Sequence, residues 1–157
     1  IARQFFCNHF DYIRLQRLST CEWEPLASLA KRLTTEQAIH IEHVSSWVVH
    51  LGTGNEESAS RMQEALDVYA PLAVMLFEKP AGFNTLVADG VLHQPDDFFA
   101  TWKQLLDDVV SSAGLTLHLD QITSDFSGGR SGQHDEDFSS SLAELHAVFN
   151  EDPAAKW

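Results

Sequence analysis

Apolar side chains recur at helical spacing along most of the chain. In residues 1–18, Ala2, Phe5, Phe6, Phe10 and Ile13 share one broad face, so the stretch reads as an amphipathic helix. Residues 19–24 interrupt the pattern, and Pro25 suits the first turn of a second helix, since proline lacks only a donor that would be unpaired there. That helix is expected to run to about Leu51 and stop at Gly52. Thr53-Gly54-Asn55 reads as a turn, with Asn55 capping a third helix that reaches about Phe77. The seam of the third helix is Ala59, Met62, Leu66, Tyr69, Ala73 and Leu76, and Pro71 should kink it. Residues 79–94 read as loop. Pro95 and Asp96 open a fourth helix with Phe98, Trp102, Leu105 and Val109 on one face, ending near Gly114. Leu115 to Leu119 alternate weakly, as in one short strand. A last short helix carries Phe138, Leu142, Leu145 and Phe149. Long helices with short connections predict an all-α helix bundle, one domain over 1–157, with a Ser/Gly/Asp-rich flexible loop at 122–136.

Composition narrows the classes of partner. The net charge is −13 over 157 residues, with 44% hydrophobic residues, 10 Phe and 4 Trp. This is the composition of a folded domain. No broad basic surface is available to neutralise phosphates, so nucleic acid and anionic membrane are disfavoured. No apolar run is long enough to span a bilayer and no secretory leader is legible, so the sequence points to the cytoplasm. Cys7 and Cys21 lack CxxC spacing and read as reduced thiols. Residue 1 is Ile and already belongs to a helical pattern, from which further helices are expected upstream in the natural protein.

Candidate chemistry concentrates in the second helix. Written as heptads, one inward row is Leu26, Leu33, His40 and Trp47, and the other is Leu29, Glu36, His43 and His50. An apolar seam thus turns polar at its middle, in Glu36, His40 and His43. His9 and Gln16 do the same on the Phe/Ile face of the first helix. Burying such groups costs free energy unless they are paired or bind metal. Mid-seam polar groups in a four-helix bundle are where carboxylate-bridged di-iron proteins hold their metals. Such a centre needs a Glu on each of two helices and Glu-x-x-His on each of the others. Here His40-x-x-His43 stands in place of Glu-x-x-His, and His9 in place of a Glu. The four residues His9, Glu36, His40 and His43 are therefore expected to converge as a degenerate cluster without iron. Two readings stand, a hydrogen-bonded polar patch and a site for a borderline ion such as zinc. Gly128-Gly129-Arg130-Ser131-Gly132 has backbone N–H groups that can wrap an anion, but matches no phosphate-loop pattern and reads as a plain loop. His118 reads as a solvent-side residue, His134-Asp135-Glu136 as surface charge, and Ser139 to Ser141 as caps of a helix start. No nucleophile motif is present, so no catalytic residue is assigned.

An ordered set of short stretches resembles one family. These are Ala2 to Phe6, Glu36 to His40 followed by Trp47, Leu51-Gly52-Thr53-Gly54 leading to Met62-Gln63, and Gly128-Gly129-Arg130 through His134 to Leu142-Ala143-Glu144, closing on Trp157. Together they resemble the C-type subunits of ring-1,2-phenylacetyl-CoA epoxidase, from bacterial phenylacetate degradation. The resemblance implies a ferritin-like bundle, here its later helices plus a tail helix. It implies a non-catalytic, structural member of the enzyme, paired with a homologous catalytic subunit that bears the di-iron centre and holds most of the phenylacetyl-CoA. No cofactor is then expected on this chain, and iron is expected on the partner. Self-association is a second partner expectation. The three inward histidines His9, His40 and His43 and the Ser-rich acidic tail depart from the family pattern. They leave open a stand-alone ferritin-like protein with a diverged His/Glu metal site.

Overall fold

A computed structural model describes residues 1–92, 96–119 and 128–155. Among these residues the architecture is all-α: α1 (Ala2–Leu18), α2 (Glu24–Gly54), α3 (Glu56–Val74), α4 (Phe83–Ala88), α5 (Asp96–Ser112), α6 (Glu136–Leu145) and α7 (Ala147–Glu151). Short 3₁₀ turns follow α3 at Met75–Phe77 and precede α6 at Gly129–Ser131. The bundle consists of α1, α2, α3 and α5, and the α1–α2 pair has the most extensive contact. Its core joins α1 (Phe5, Phe6, Phe10, Ile13), α2 (Val44, Val48), α3 (Met62, Leu66) and α5 (Trp102, Leu106, Val110). Each fully buried side chain of this kind contributes roughly 1.5–3 kcal/mol. The Trp102 indole is wholly enclosed, and its N–H donates to the Phe6 carbonyl at 3.1 Å, which satisfies the one polar atom the ring carries into the core.

The apolar face expected of α1 is buried in full, Ala2 included. The turn chemistry at residue 55 also agrees with expectation. Asn55 has extended backbone, its side chain accepts from Ser58 N–H at 2.9 Å, and Ser58 Oγ accepts from Asn55 N–H at 3.0 Å, a reciprocal capping box.

Other elements differ from the sequence reading. The second helix does not stop at Gly52 but continues to Gly54. Gly52 instead serves a close approach: a Cβ there would meet the Ala113 carbonyl oxygen at 2.5 Å and the Ala113 Cβ at 2.9 Å. The absence of a side chain lets α2 pass the C-terminal end of α5. Pro71 lies inside α3, which continues three residues beyond it before tightening into the 3₁₀ turn. The expected loop over 79–94 contains α4, and its residues 93 and 94 lie outside the described set, as do Pro95 and Trp157. On α5 the enclosed row is Trp102, Leu106 and Val110, with Leu105 and Val109 only partly covered, one residue away from the expected stripe.

Leu115 to Leu119 form no strand. Leu119 is buried and Leu115 and Leu117 half-buried, while Thr116 and His118 face solvent. The backbone of Thr116 is met by one side chain: Gln63 accepts from Thr116 N–H and donates to Thr116 C=O, both at 2.9 Å. Of the 122–136 loop, residues 122–127 lie outside the described set, and 128–133 form a hydrogen-bonded turn. The last helix is divided at His146 into α6 and α7, with Leu145, Val148 and Phe149 exposed. Asp135, not Ser139 to Ser141, caps it, accepting from Phe138 N–H at 3.0 Å.

Gly52→Ala is expected to destabilise the protein. Alanine gains about 1 kcal/mol of helix propensity, but the clash is with backbone and cannot be relieved by a rotamer change, and overpacking costs about 1–3 kcal/mol. Urea unfolding midpoints decide it: an equal or higher midpoint for the variant would mean that α2 and α5 do not approach this closely.

Candidate functional site

The four residues His9, Glu36, His40 and His43 do not converge. His9 is buried at 2% exposure, whereas Glu36, His40 and His43 are exposed on α2. The inward face of α2 is a row of small residues, Ala27, Ala30, Val44 and Val48, with Gln37, Ile41 and Ser45 half-buried beside it. The heptad rows read from sequence took the larger side chains as the seam. The structure packs Val44 and Val48 with the aromatic face of α1, because bulky groups from one helix fit where the facing helix presents little volume. Gln16 likewise lies outside, on the exposed side of α1.

His9 is held by its own helix. Its Nδ1 lies 2.8 Å from the Phe5 carbonyl oxygen, which only accepts, so Nδ1 carries the proton and Nε2 presents a lone pair. Ser45 Oγ lies 3.5 Å from Nε2, and the Phe5 ring meets the imidazole edge-on with centroids 4.8 Å apart. Burial pushes the His9 pKa down, against a smaller upward effect of the bond to Phe5. His9 is therefore a neutral, hydrogen-bonded core residue.

On the outer face of α2, His43 and His50 both meet Trp47 edge-on, at 6.5 and 5.5 Å between centroids. Glu36, His40 and His43 share this face at i, i+4 and i+7. Among the described residues no group of three His, Cys, Asp or Glu side chains is assembled to hold a metal. The donors fit a di-iron centre poorly on two counts: His9 faces the core while the others face out, and one carboxylate cannot supply the bridges that hard iron centres use. Cys7 and Cys21 are free thiols; burial raises the Cys7 pKa, with Arg3 opposing and Asp11 assisting.

The glycine-rich turn does wrap an anion, and the anion is the chain's own. Glu78 accepts from Gly128 N–H at 2.6 Å through one carboxylate oxygen and from Arg130 N–H at 3.2 Å through the other. Gly128 has φ +94°, a left-handed conformation natural to glycine. Arg130 donates to the Leu76 carbonyl at 2.9 Å, which fastens the turn to the end of α3. No sequence motif links residues 76–78 to 128–130, which lie some fifty positions apart, so nothing in the sequence singles out Glu78.

A family model described as phenylacetic acid catabolic protein matches residues 1–157. A relative from Escherichia coli (strain K12), the C subunit of 1,2-phenylacetyl-CoA epoxidase, is 26% identical over 157 residues. The match covers all of this chain and 62% of the relative, so the chain spans less than two thirds of that protein's length.

Lowering the pH through the histidine range is expected to destabilise the protein through His9. The folded pKa is depressed, so unfolding takes up a proton below the ordinary value of 6.5. The His9 contribution is fully present above that value and is lost as pH falls toward the folded pKa, at up to about 1.4 kcal/mol per pH unit. Unfolding free energies of wild type and His9→Leu, measured from pH 7.5 to 5, should show a steeper loss with falling pH for wild type. Parallel profiles would show that His9 is not held neutral.

Proposed function

Because the chain belongs to the phenylacetic acid catabolic protein family, we propose that its full-length form is the structural, non-catalytic subunit of a multicomponent di-iron monooxygenase. That enzyme epoxidises the ring of phenylacetyl-CoA in aerobic phenylacetate degradation. On this reading the iron and most of the substrate are held by a homologous catalytic subunit.

The observation that carries the reading is the set of large apolar side chains left exposed on α2. Leu29 and Trp47 are each 43% exposed and Ile39 is 67% exposed, on a helix whose other face is already packed. The three lie between positions 29 and 47, interspersed with the exposed Glu36, His40 and His43, so this side of the helix offers large apolar groups among polar ones, a surface suited to a partner subunit. The arrangement of His9 supports the non-catalytic part: a neutral imidazole that donates its Nδ1–H to the Phe5 carbonyl fills the core where a bridging carboxylate would be needed. The acidic balance of the chain, −13, supports leaving the phosphates of the substrate to the partner. No helix among the described residues is long and apolar enough to cross a membrane.

The second reading is a stand-alone ferritin-like protein with a diverged His/Glu metal site; Glu36, His40 and His43 share the outer face of α2 but are not assembled around an ion. Metal content of the full-length protein separates the two, since only the second requires a bound ion.

Reconstitution tests the first. Purified catalytic subunit and reductase are expected to epoxidise phenylacetyl-CoA only when the full-length form of this chain is added, and the catalytic subunit and this chain are expected to co-elute as a stable complex. Equal activity without it, or activity from this chain with reductase alone, would overturn the assignment.

A further inference from the structure

A cavity of about 240 Å³ opens where the C-terminal half of α1, the end of α3, α4 and the glycine-rich turn meet. It makes no use of the α2 face on which the proposed function rests. Its walls are aromatic: Phe10 and Phe98 stack with centroids 4.8 Å apart, and Phe77 meets both edge-on at 5.1 and 5.2 Å. Its rim is cationic. Arg14 lies 5.7 Å from the Phe10 centroid, Arg17 5.3 Å from that of Phe98, and Lys79 5.4 Å from that of Phe83, so each cation is held over an aromatic ring. Arg130 is the fourth.

The concentration of charge is what requires explanation. The chain has 10 Lys and Arg against 23 Asp and Glu, and four of the ten line this one cavity. Among the described lining residues the single acid is Glu78, and its carboxylate is already taken up by the N–H groups of Gly128 and Arg130. Among the described residues Arg14 pairs with Asp11, at 2.9 Å. An apolar slot with a positive mouth, on a molecule that is otherwise negative, is complementary to an amphipathic anion. The volume falls below the usual range for drug-sized or cofactor-sized ligands. It fits one ring with a short acidic arm.

We propose that this cavity binds a small aromatic carboxylate, with the ring against the cluster of Phe10, Phe77 and Phe98 and the carboxylate at Arg14 and Lys79. The site follows from the lining alone and stands or falls independently of the epoxidase assignment. A ring entering the slot replaces solvent against three aromatic walls, and the rim supplies a charge-assisted contact that a neutral isostere lacks.

The test is ¹⁹F NMR of 4-fluorophenylacetate titrated with the full-length protein. Saturable binding at millimolar ligand or below is expected. The Arg14→Gln, Lys79→Gln double variant is expected to weaken it about tenfold or more, the loss of a charge-assisted hydrogen bond. Leu18→Trp, which fills the slot, is expected to abolish it, with circular dichroism confirming that the variant is folded. The surface charge variant keeps the test decisive if Leu18→Trp fails to fold. Binding of 4-fluorophenylacetamide as tight as that of the acid would show an apolar slot without anion recognition, and displacement by acetate as effective as by phenylacetate would show an anion site without ring recognition. Either result, no binding at all, or binding unchanged in the charge variant would overturn the proposal.

Discussion

The arrangement of the bundle depends on which side of α2 is packed. Phe5, Phe6, Phe10 and Ile13 give α1 one face of large side chains, and α2 answers in the shared core with Val44 and Val48, its buried face continuing in Ala27 and Ala30. Large groups against small ones let two helices approach and still fill the space between them. Had α2 turned its larger residues inward, Leu29, Trp47 and the aromatic face of α1 would compete for the same volume, and Glu36, His40 and His43 would lose water with few partners nearby. Packing the small face keeps those three in solvent and leaves a single histidine, His9, to be accommodated. It is accommodated neutral, through a carbonyl four residues earlier.

The same fact explains what was legible in the sequence. The face of α1 was readable because its apolar residues are both large and periodic. The Asn55 cap was readable because its chemistry is local. The inward face of α2 was not, since the helix is apolar on two sides and periodicity alone does not say which side meets a partner within the chain. The larger residues point a sequence reading to the outer stripe, and with them goes the expectation of a converging His9, Glu36, His40 and His43 cluster. Gly52 misleads for a related reason. Glycine marks helix ends when read locally, but here it serves a contact with Ala113, about sixty residues away, that no local pattern encodes.

Long-range pairing also decides the second half of the chain. Gln63 holds the backbone of Thr116, and Glu78 holds the backbone of residues 128 and 130. In each case a side chain from the region of α3 satisfies main-chain groups of a segment without regular structure, where water or a strand partner would otherwise be needed. The sequence announces a flexible element at 122–136 through its composition. Composition does not show that a carboxylate fifty residues away is placed to receive two of its N–H groups.

Glu78 links this scaffolding to the chemistry of the cavity. A glycine-rich turn without an internal carboxylate would present its N–H groups to whatever anion diffused in. With Glu78 seated there, that capacity is used up within the fold. The other cations around the cavity are side chains set over aromatic rings, Arg14, Arg17 and Lys79. The carboxylate therefore does two things at once. It fixes the turn that brings Arg130 to the rim, and it withdraws itself from competing with an incoming anion for the cations around it. Backbone N–H groups and the Arg130 bond to Leu76 hold the turn in place, so one of the four cations of the mouth, Arg130, is positioned by a main-chain arrangement, while Arg14, Arg17 and Lys79 are positioned by the aromatic rings beneath them.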